Sequence, residues 1–260
     1  MLMTTPLPVR TADILVPYHL DDALLDFDWP IAAAHVVLPE LPAANEWNRL
    51  AALYDQVADA VARETRLTIV MSGDCLTSLG TVAGLQRKGI EPAIVWFDGH
   101  GDVQTLETST SGYIGGMPLR MLVGYGRQYL SEPLGLRTTP EERVLLVDAR
   151  DLDPPEVEYL AQSRIKRCRV DEVVAERLPD GPIYLHLDVD VVDPEEVPGL
   201  LFPASGGPTL SAVTAAVQRV MDSGRVAALG LACTWHSHRG GGDALRDAAA
   251  RIFNGAPMIG

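Results

Sequence analysis

Several features that would place this chain in a special class are missing. Its 260 residues include only three cysteines, Cys75, Cys168 and Cys233, which are too few and too scattered for a disulfide framework. No apolar run reaches the roughly 18 residues that a membrane-spanning helix needs. Residues 1–20 lack the basic start and apolar block of a secretory signal. We therefore expect a cytoplasmic protein in a reducing compartment that does not contact a membrane.

Positive charge is also in short supply. Lysine and arginine number 21 against 35 aspartates and glutamates, which gives a formal net charge of −14. Such a surface repels nucleic acid and anionic lipid, so we expect neither as a partner. The charge suits a cationic or zwitterionic small molecule, although general solubility explains it equally well. With 47% hydrophobic and 22% charged residues, the composition is that of an ordinary soluble protein, and we expect one domain over residues 1–260.

Short apolar runs predict a buried parallel sheet. Five runs rich in Val, Ile and Leu lack polar alternation, namely Thr68–Met71, Ala93–Phe97, Val144–Val147, Ile183–Leu187 and Val226–Leu231. Helical patterns alternate with them: an apolar face between Trp47 and Val61, a helix N-capped by Thr209 and a last helix capped by Asp243. This alternation predicts a three-layer α/β/α sandwich with a central, mostly parallel sheet. Residues 194–208, rich in Pro and Gly, indicate a long functional loop.

Polar side chains follow three of the predicted strands, at the edge where such sheets bind ligands. The three groups are Asp74–Cys75, then Asp98, His100 and Asp102, then Asp188, Asp190 and Asp193. Several carboxylates that converge on one point cannot all stay ionised without cations. Carboxylate and imidazole ligands suit Mn²⁺, Zn²⁺ or Mg²⁺, and shared carboxylates indicate a dinuclear site. Each motif alone also fits a surface turn or a calcium loop, but together they favour a metal site.

At these residues the sequence resembles a known family. The segments SGDCLTSLG, WFDGHGDVQT, SGYIGGMPL and LDVDVVDP resemble, in order, the motifs of the arginase/agmatinase/formiminoglutamase (ureohydrolase) family. The resemblance runs from about Val16 to the C-terminus. It implies an α/β/α sandwich, two Mn²⁺ ions bridged by hydroxide, hydrolysis of guanidino C–N bonds, and a homo-oligomer, either a trimer or a hexamer.

The resemblance also implies a ligand set. The first ion would be held by Cys75, Asp98, Asp102 and Asp188. The second ion would be held by Asp98, His100, Asp188 and Asp190. Asp102 would in addition be the catalytic residue that holds the hydroxide and protonates the leaving amine. Asp193 would orient the DVD segment without binding an ion.

Two further segments resemble the substrate-binding parts of arginases. Gln104, Ser109 and Ser111 fall where arginases bind the α-carboxylate, and Asp153 and Glu156 fall where they bind the α-amino group. This favours an α-amino acid over a plain amine such as agmatine. The two acids also fit the first turn of a helix with Pro154 at its start, and both roles can hold at once.

Three positions depart from the family pattern. Cys75 replaces a metal-ligand His, so four aspartates and a thiolate would carry −5 against +4 from two divalent ions; alternatively Cys75 is an unliganded thiol and the site is mononuclear. Gly115 replaces the His before GMP. Thr234 or Trp235 falls where arginases have the Glu that pairs with the guanidinium. His236 and His238 follow on the same loop, either as replacement polar contacts or as residues of a solvated loop.

The sequence therefore predicts a metal-dependent amidinohydrolase that acts on an arginine-like α-amino acid. The missing Glu favours a less cationic substrate, which makes Nω-hydroxy-L-arginine a candidate beside L-arginine. The products would be ornithine with hydroxyurea or urea. The alternatives are a catalytically impaired relative that binds an amino acid or a protein partner, and a metal-dependent deacylase on the related deacetylase fold.

Overall fold

A single parallel sheet organises the chain. The computed structural model describes residues 12–254, and its main sheet has eight strands in the order β4-β1-β5-β10-β9-β6-β7-β8. Its strands are β1 (Ala12–Val16), β4 (Ala33–Val36), β5 (Thr68–Ser72), β6 (Ala93–Asp98), β7 (Val144–Asp148), β8 (Lys166–Cys168), β9 (Ile183–Asp188) and β10 (Val226–Ala232). All neighbouring strands of this sheet pair in parallel. A small antiparallel hairpin joins β2 (Tyr18–His19) to β3 (Asp22–Ala23).

Helices cover both faces of the sheet. They are α1 (Glu46–Arg63), α2 (Ser78–Arg87), α3 (Pro118–Leu122), α4 (Ser131–Leu134), α5 (Pro154–Gln162), α6 (Leu210–Met221) and α7 (Gly241–Asn254). One apolar core lies between the sheet and α1 to α4, and a second lies between the opposite face and α6 and α7. The structure thus confirms the three-layer sandwich with a parallel sheet. Within the described residues, no helix is long and apolar enough to cross a membrane.

The predicted strands and caps mostly hold. All five predicted strands are present, and Thr209 caps α6 by accepting a hydrogen bond from the Ala212 amide at 3.2 Å. The prediction that Asp243 caps the last helix is wrong. Helix α7 begins at Gly241, so Asp243 lies inside its first turn, where its carboxylate accepts a hydrogen bond from Arg246 at 2.6 Å.

Helix α2 was not predicted because its interior carries two glycines. Gly80 and Gly84 allow α2 to lie directly against α1: a Cβ at Gly80 would be 2.8 Å from the carbonyl oxygen of Tyr54. At Gly84 the corresponding distance, to the carbonyl oxygen of Ala58, would be 2.6 Å. The glycines lower helix propensity, and close packing against α1 offsets that cost.

The strand order sets the position of the polar motifs. Parallel strands end at the same edge of the sheet, and β5, β10, β9 and β6 are consecutive neighbours. The segments that follow these strands carry Cys75, Thr234, Asp190 and His100, so the fold gathers them at one edge. This is the edge at which open α/β sheets bind ligands.

Candidate active site

Two aspartate loops meet above strands β6 and β9. Asp98 ends β6 and Asp188 ends β9, after which the chain makes a short turn over Val189–Val191. The Asp190 amide donates to Asp188 Oδ1 at 3.0 Å, and the Gly99 amide donates to Asp190 Oδ1 at 3.1 Å. A Cβ at Gly99 would lie 2.8 Å from the Asp190 carbonyl oxygen, so glycine lets the loops touch. Both loops therefore present their carboxylates to the same place.

His100 joins the aspartates of the two loops. Its Nδ1 lies 3.1 Å from Asp190 Oδ2 and 3.5 Å from Asp98 Oδ1. Burial alone would lower the pKa of His100, but hydrogen bonds to Asp190 and Asp98 raise it to about 12. The predicted residues Asp98, His100 and Asp190 therefore form one compact group, whose ligand atoms all lie within 4.8 Å of one another.

Asp102 is buried and strained. The residue is only 5% exposed, and its Oδ2 has no hydrogen-bond partner within the described residues. Its backbone has φ of 53°, in the left-handed region that few residues other than glycine adopt. An unpartnered buried carboxylate oxygen costs free energy, and such strain is often found at functional sites. Asp102 is therefore placed to meet a ligand in the pocket that it lines.

Cys75 lies on the other side of the group. The buried Cys75 thiol donates a hydrogen bond to Asp188 Oδ2 at 2.7 Å, and the Thr234 hydroxyl donates to Asp188 Oδ1 at 2.7 Å. The neighbouring Asp74 accepts hydrogen bonds from the backbone amides of Leu20 and Thr77, at 2.8 and 3.1 Å. Asp74 thus shapes the loop after β5, and Cys75 is the residue of this pair that faces the aspartates.

The electrostatics of the group favour bound cations. Burial, followed by the charge of Asp98, raises the pKa of Asp188 to about 7. Burial and neighbouring carboxylates also hold the pKa of Asp102 and of Asp190 well above the usual range. Burial would raise the pKa of Asp98 too, but hydrogen bonds from His100 and Trp96 hold it below its ordinary value. Positive charge at this point would therefore stabilise the ionised forms.

The donor set fits divalent metal ions. Two groups have ligand atoms within 4.8 Å of one another, Cys75–Asp98–His186 and Asp98–His100–Asp190, and they share Asp98. Carboxylates and imidazoles suit Mn²⁺, Zn²⁺ or Mg²⁺, whereas a thiolate suits a softer metal. His186 was given no role from the sequence, although strict strand alternation places it on the same face as Asp188. Its burial is the observation that singles it out.

A polar pocket opens above these residues. Its lining includes Cys75, His100, Asp102, Asp188, Asp190 and Thr234 on one side. The predicted substrate-binding residues Gln104, Ser109, Ser111, Asp153 and Glu156 line it as well. The fold therefore brings the predicted metal-binding and substrate-binding residues together in or directly beneath one pocket.

Asp153 and Glu156 differ in how many of their carboxylate oxygens already accept backbone hydrogen bonds. Glu156 Oε1 accepts a hydrogen bond from the Val103 amide at 3.2 Å, and its Oε2 accepts one from the Asp153 amide at 3.1 Å. Both Glu156 oxygens thus accept backbone amides, one at the start of α5, as the alternative helix-start role expects, and one in the loop after β6. Asp153 Oδ2 accepts from the Gln104 side-chain amide at 2.8 Å. Asp153 is therefore the acid with more capacity for a ligand.

The two serines lie at the mouth of the pocket. Ser109 Oγ accepts a hydrogen bond from the Gly112 amide at 3.1 Å, and Ser111 Oγ accepts one from the Tyr113 amide at 3.2 Å. Ser111 is exposed and Ser109 partly so. Their hydroxyl hydrogens can still turn toward a carboxylate in the pocket.

Tyr113 fills the space at Gly115. A Cβ at Gly115 would lie 2.2 Å from Tyr113 Cζ, so no larger residue fits while the ring is there. His19 Nδ1 lies 2.9 Å from the Gly73 carbonyl oxygen, which only accepts, so Nδ1 donates and Nε2 accepts from the Tyr113 hydroxyl at 3.1 Å. Burial first of all raises the pKa of Tyr113, which keeps the hydroxyl protonated. No pattern in the sequence predicts this contact between Tyr113, His19 and Gly115.

The segment after β10 presents Thr234 to the pocket and buries Trp235 in the core. Thr234 faces the pocket, whereas Trp235 packs into the opposite core, stacks on Phe27 at 5.3 Å and donates to Asp28 Oδ1 at 3.2 Å. His236 and His238 are exposed and are not among the residues lining the pocket, and His238 lies 3.3 Å from Asp26. The position opposite Asp188 is therefore held by a neutral hydroxyl.

Asp193 organises the loop over residues 194–208 rather than contacting the DVD segment through its carboxylate. Its carboxylate accepts hydrogen bonds from the Glu195 and Gly207 amides at 3.0 and 2.9 Å. Arg150, which the sequence analysis did not single out, donates to the carbonyl oxygens of Asp190 and Val191 at 3.1 and 3.0 Å. Phe202 of this loop reaches the pocket and lies 5.0 Å from the Tyr113 ring. The loop thus contributes both to the aspartate turn and to the rim.

Comparison with known proteins agrees with these features. Residues 10–234 match the model of the arginase family. Arginase of Bacillus subtilis is 33% identical over 183 residues, which cover 65% of this chain and 62% of the relative, and arginase of Bacillus caldovelox is 35% identical over 181 residues, which cover 64% and 58%. The chain thus matches less than two thirds of the length of these relatives.

Solved structures extend the likeness in fold over nearly the whole chain. The Entamoeba histolytica arginase in complex with L-ornithine matches with a TM-score of 0.78 at 22% identity, covering 94% of this chain and 98% of that one. The sequence motifs, the parallel sheet with its converging aspartates and the family match lead to one conclusion: the chain belongs to the arginase family.

Proposed function

We propose that the protein is a metal-dependent amidinohydrolase that cleaves the guanidino C–N bond of an arginine-like α-amino acid. The observation that carries this proposal is the group formed by the buried Asp98, Asp102, Asp188 and Asp190 with the half-buried His100 beneath a polar pocket. Burying so many acids is costly unless cations bind them. The products would be ornithine with urea from L-arginine, or with hydroxyurea from Nω-hydroxy-L-arginine.

Two Mn²⁺ ions per chain are the proposed cofactor. The first position would be held by Cys75, Asp98, Asp102 and Asp188, and the second by Asp98, His100, Asp188 and Asp190. Such ions supply a nucleophile from water at neutral pH and neutralise charge that develops on the substrate. The shared Asp98 and the closeness of Asp188 to Asp190 and Cys75 support two adjacent positions.

Asp102 is the proposed proton carrier. It is buried beneath the pocket, and its Oδ2 has no hydrogen-bond partner within the described residues, so this oxygen can receive a proton. In hydrolysis the attacking water loses a proton and the leaving amine gains one. Asp102 would take the first and deliver the second, so that the amine of ornithine leaves protonated.

The opposite end of the pocket suits an α-amino acid. Asp153 would accept a hydrogen bond from the α-ammonium group, while Gln104, Ser109 and Ser111 would bind the α-carboxylate. Glu156 would act through the backbone amides that it accepts from, which fix Asp153. An arginase that was solved with L-ornithine has the same fold, which supports an amino acid as the ligand class.

Thr234 bears on the choice between the two amino acids. A guanidinium cation pairs best with a carboxylate, and Thr234 offers only a neutral oxygen. An N-hydroxyguanidine is less basic and needs no carboxylate partner. We therefore propose Nω-hydroxy-L-arginine as the better substrate and L-arginine as the poorer one.

The quaternary and cellular setting is proposed from the family and the composition. We expect one domain, a homo-oligomer that is a trimer or hexamer, and a cytoplasmic location, with no nucleic-acid or membrane partner. The net charge of −14 and the scarcity of cysteine support the last two expectations. Gel filtration with light scattering would test the oligomer.

The test is a product assay with four substrates. The Mn²⁺-loaded protein is given L-arginine, Nω-hydroxy-L-arginine, agmatine and guanidinobutyrate, and amine, urea and hydroxyurea are measured. We expect turnover of the two amino acids, with hydroxyarginine faster. Equal turnover of agmatine would overturn the amino-acid specificity. Tight binding of the amino acids without any product would instead indicate a catalytically impaired relative that only binds them. Two departures from the family pattern support this alternative, the neutral Thr234 and Gly115.

A further inference from the structure

A second imidazole lies beneath the pocket, on the side of Cys75. His186 is in β9, two residues before Asp188, and is only 1% exposed. Its Nε2 has no hydrogen-bond partner in the described structure. A buried ring nitrogen left unpartnered costs free energy, so a ligand for this atom would offset the cost.

The position of this ring points to a metal. One ring nitrogen of His186, Cys75 Sγ and a carboxylate oxygen of Asp98 all lie within 4.8 Å of one another. Nδ1 is already engaged, because it lies 3.0 Å from Ser78 Oγ and 3.2 Å from the Tyr184 hydroxyl. The nitrogen that remains for a ligand is Nε2.

The ring is held in a fixed orientation. It stacks on Trp96 with the ring centroids 3.6 Å apart, and the Trp96 indole donates to Asp98 Oδ2 at 2.9 Å. When His186 Nδ1 donates to Ser78, a lone pair is left on Nε2, which is the form in which imidazole binds metals. A hydrogen bond to the far nitrogen of the ring is the usual support for a metal-binding histidine.

The two imidazoles divide between the two groups of ligand atoms. His100 lies with Asp98 and Asp190, and His186 lies with Asp98 and Cys75. We propose that His186 Nε2 is a ligand of the first metal position, where it supplies the neutral nitrogen donor that Cys75 does not. This inference rests on the proposed function and changes one ligand of its metal centre. His186 takes the place of Cys75 in the first position, and the Cys75 thiol keeps its hydrogen bond to Asp188. Without a thiolate, the excess of negative charge over the two divalent ions disappears.

The test measures ion binding rather than turnover. His186→Phe keeps a flat ring against Trp96 but has no donor atom. His236→Phe is the matched control, since it makes the same exchange at an exposed histidine that does not line the pocket. We expect calorimetric titration with Co²⁺ to give two ions for the wild type and for His236→Phe. In His186→Phe one ion should bind at least about tenfold more weakly, and the other should be unchanged. Two ions at wild-type affinity in His186→Phe would overturn the inference.

A measurement on the wild type covers the case in which His186→Phe does not fold. The protein is labelled with ¹⁵N-histidine and titrated with Zn²⁺, and ring nitrogens are followed by NMR. We expect two histidines to show metal-bound Nε2 or Nδ1 shifts, His100 and His186. A shift of His100 alone would contradict the inference. Two bound histidines without hydrolysis of any guanidino amino acid would uphold the ligand and overturn the proposed activity.

Discussion

The floor and the wall of the pocket differ in how closely they follow the family pattern. The floor, which we define as Cys75, Asp98, His100, Asp102, Asp188 and Asp190, keeps every expected aspartate. The wall, defined as Gln104, Ser109, Ser111, Tyr113, Asp153 and Thr234, has exchanged the expected acid for a hydroxyl and places an aromatic ring beside Gly115. Cys75 is the one departure in the floor. We propose that the floor keeps the family's ion binding, because ligand geometry constrains it, and that the exchanged wall residues alter the choice of substrate.

The largest effect should come from removing a shared acid of the floor. Asp188→Asn keeps the size of the side chain but removes charge at both proposed positions, so both Mn²⁺ ions and all turnover should be lost. Asp190→Asn should weaken only the second ion. Metal content after dialysis measures both. Asp193→Asn, whose carboxylate accepts only backbone amides, is the control and should keep two ions. Two ions in Asp188→Asn would contradict the assignment of the floor.

The next effect concerns the wall residue that would bind the α-amino group. Asp153→Ala should raise KM for the amino acid roughly 10- to 150-fold, since a hydrogen bond between charged groups contributes about 1.5–3 kcal/mol. KM for guanidinobutyrate, which has a carboxylate but no amino group for Asp153 to bind, should change little. Glu156→Gln is the comparison: because both Glu156 oxygens accept backbone amides, it should lower stability more than it raises KM. Equal KM changes for both substrates in Asp153→Ala would show that Asp153 does not bind the α-amino group.

A smaller effect should come from placing a carboxylate in the wall at position 234, where the family pattern has a Glu. Thr234→Glu places a carboxylate where a guanidinium would lie, and we expect the ratio of kcat/KM for arginine to that for hydroxyarginine to rise roughly tenfold. Thr234→Gln has the same length without charge and should leave the ratio unchanged. If both variants behave alike, charge at position 234 does not select the substrate.

The smallest effect is a dependence of stability on pH in the metal-free protein. The Asp188 carboxyl has a pKa of about 7 when folded, compared with 3.8 as its ordinary value. Between these values the folded state binds more protons, so the free energy of unfolding should fall as pH rises from about 4 through 7. His100, whose pKa is raised to about 12, adds the same sign above about pH 6.5.

Bound ions should reverse that slope, because metals and protons compete for the same ligands. The measurement is Tm at pH 5, 6, 7 and 8 for metal-free and Mn²⁺-loaded protein. We expect Tm to fall with pH in the first and to rise in the second. Parallel slopes would mean that the buried carboxylates do not bind the ions.

The sequence predicted the floor better than the wall because the two depend on different information. Asp98 and Asp188 directly follow apolar strands, and the rule that ligands bind at strand ends places them together without knowing any other contact. Strands β1, β4 and β8 were not predicted. Strand β4 is largely exposed and β8 has only three residues, so neither forms a buried apolar run of the predicted kind. Helix α2 was likewise not predicted, because two glycines in its interior lower its helix propensity.

The unpredicted parts of the site depend on contacts between distant segments. The His19–Tyr113 hydrogen bond joins residues 94 positions apart, and Ser78 and His186 are 108 apart. Alternation along β9 places His186 on the face of Asp188, but only packing shows that its Nε2 has no partner. Glu156 was predicted as an acid of the first helical turn, whereas its bond to the Val103 amide needed the fold.

The central claim, that this pocket hydrolyses a guanidino amino acid through bound metal ions, is tested most directly by ornithine release. The wild type is stripped of metal and then reloaded with Mn²⁺, and ornithine formed from Nω-hydroxy-L-arginine is measured before and after, with Asp188→Asn in parallel. The account predicts no ornithine from the stripped protein, one hydroxyurea per ornithine after reloading, and no recovery in Asp188→Asn. Two bound ions per chain without ornithine from either arginine or hydroxyarginine would contradict it.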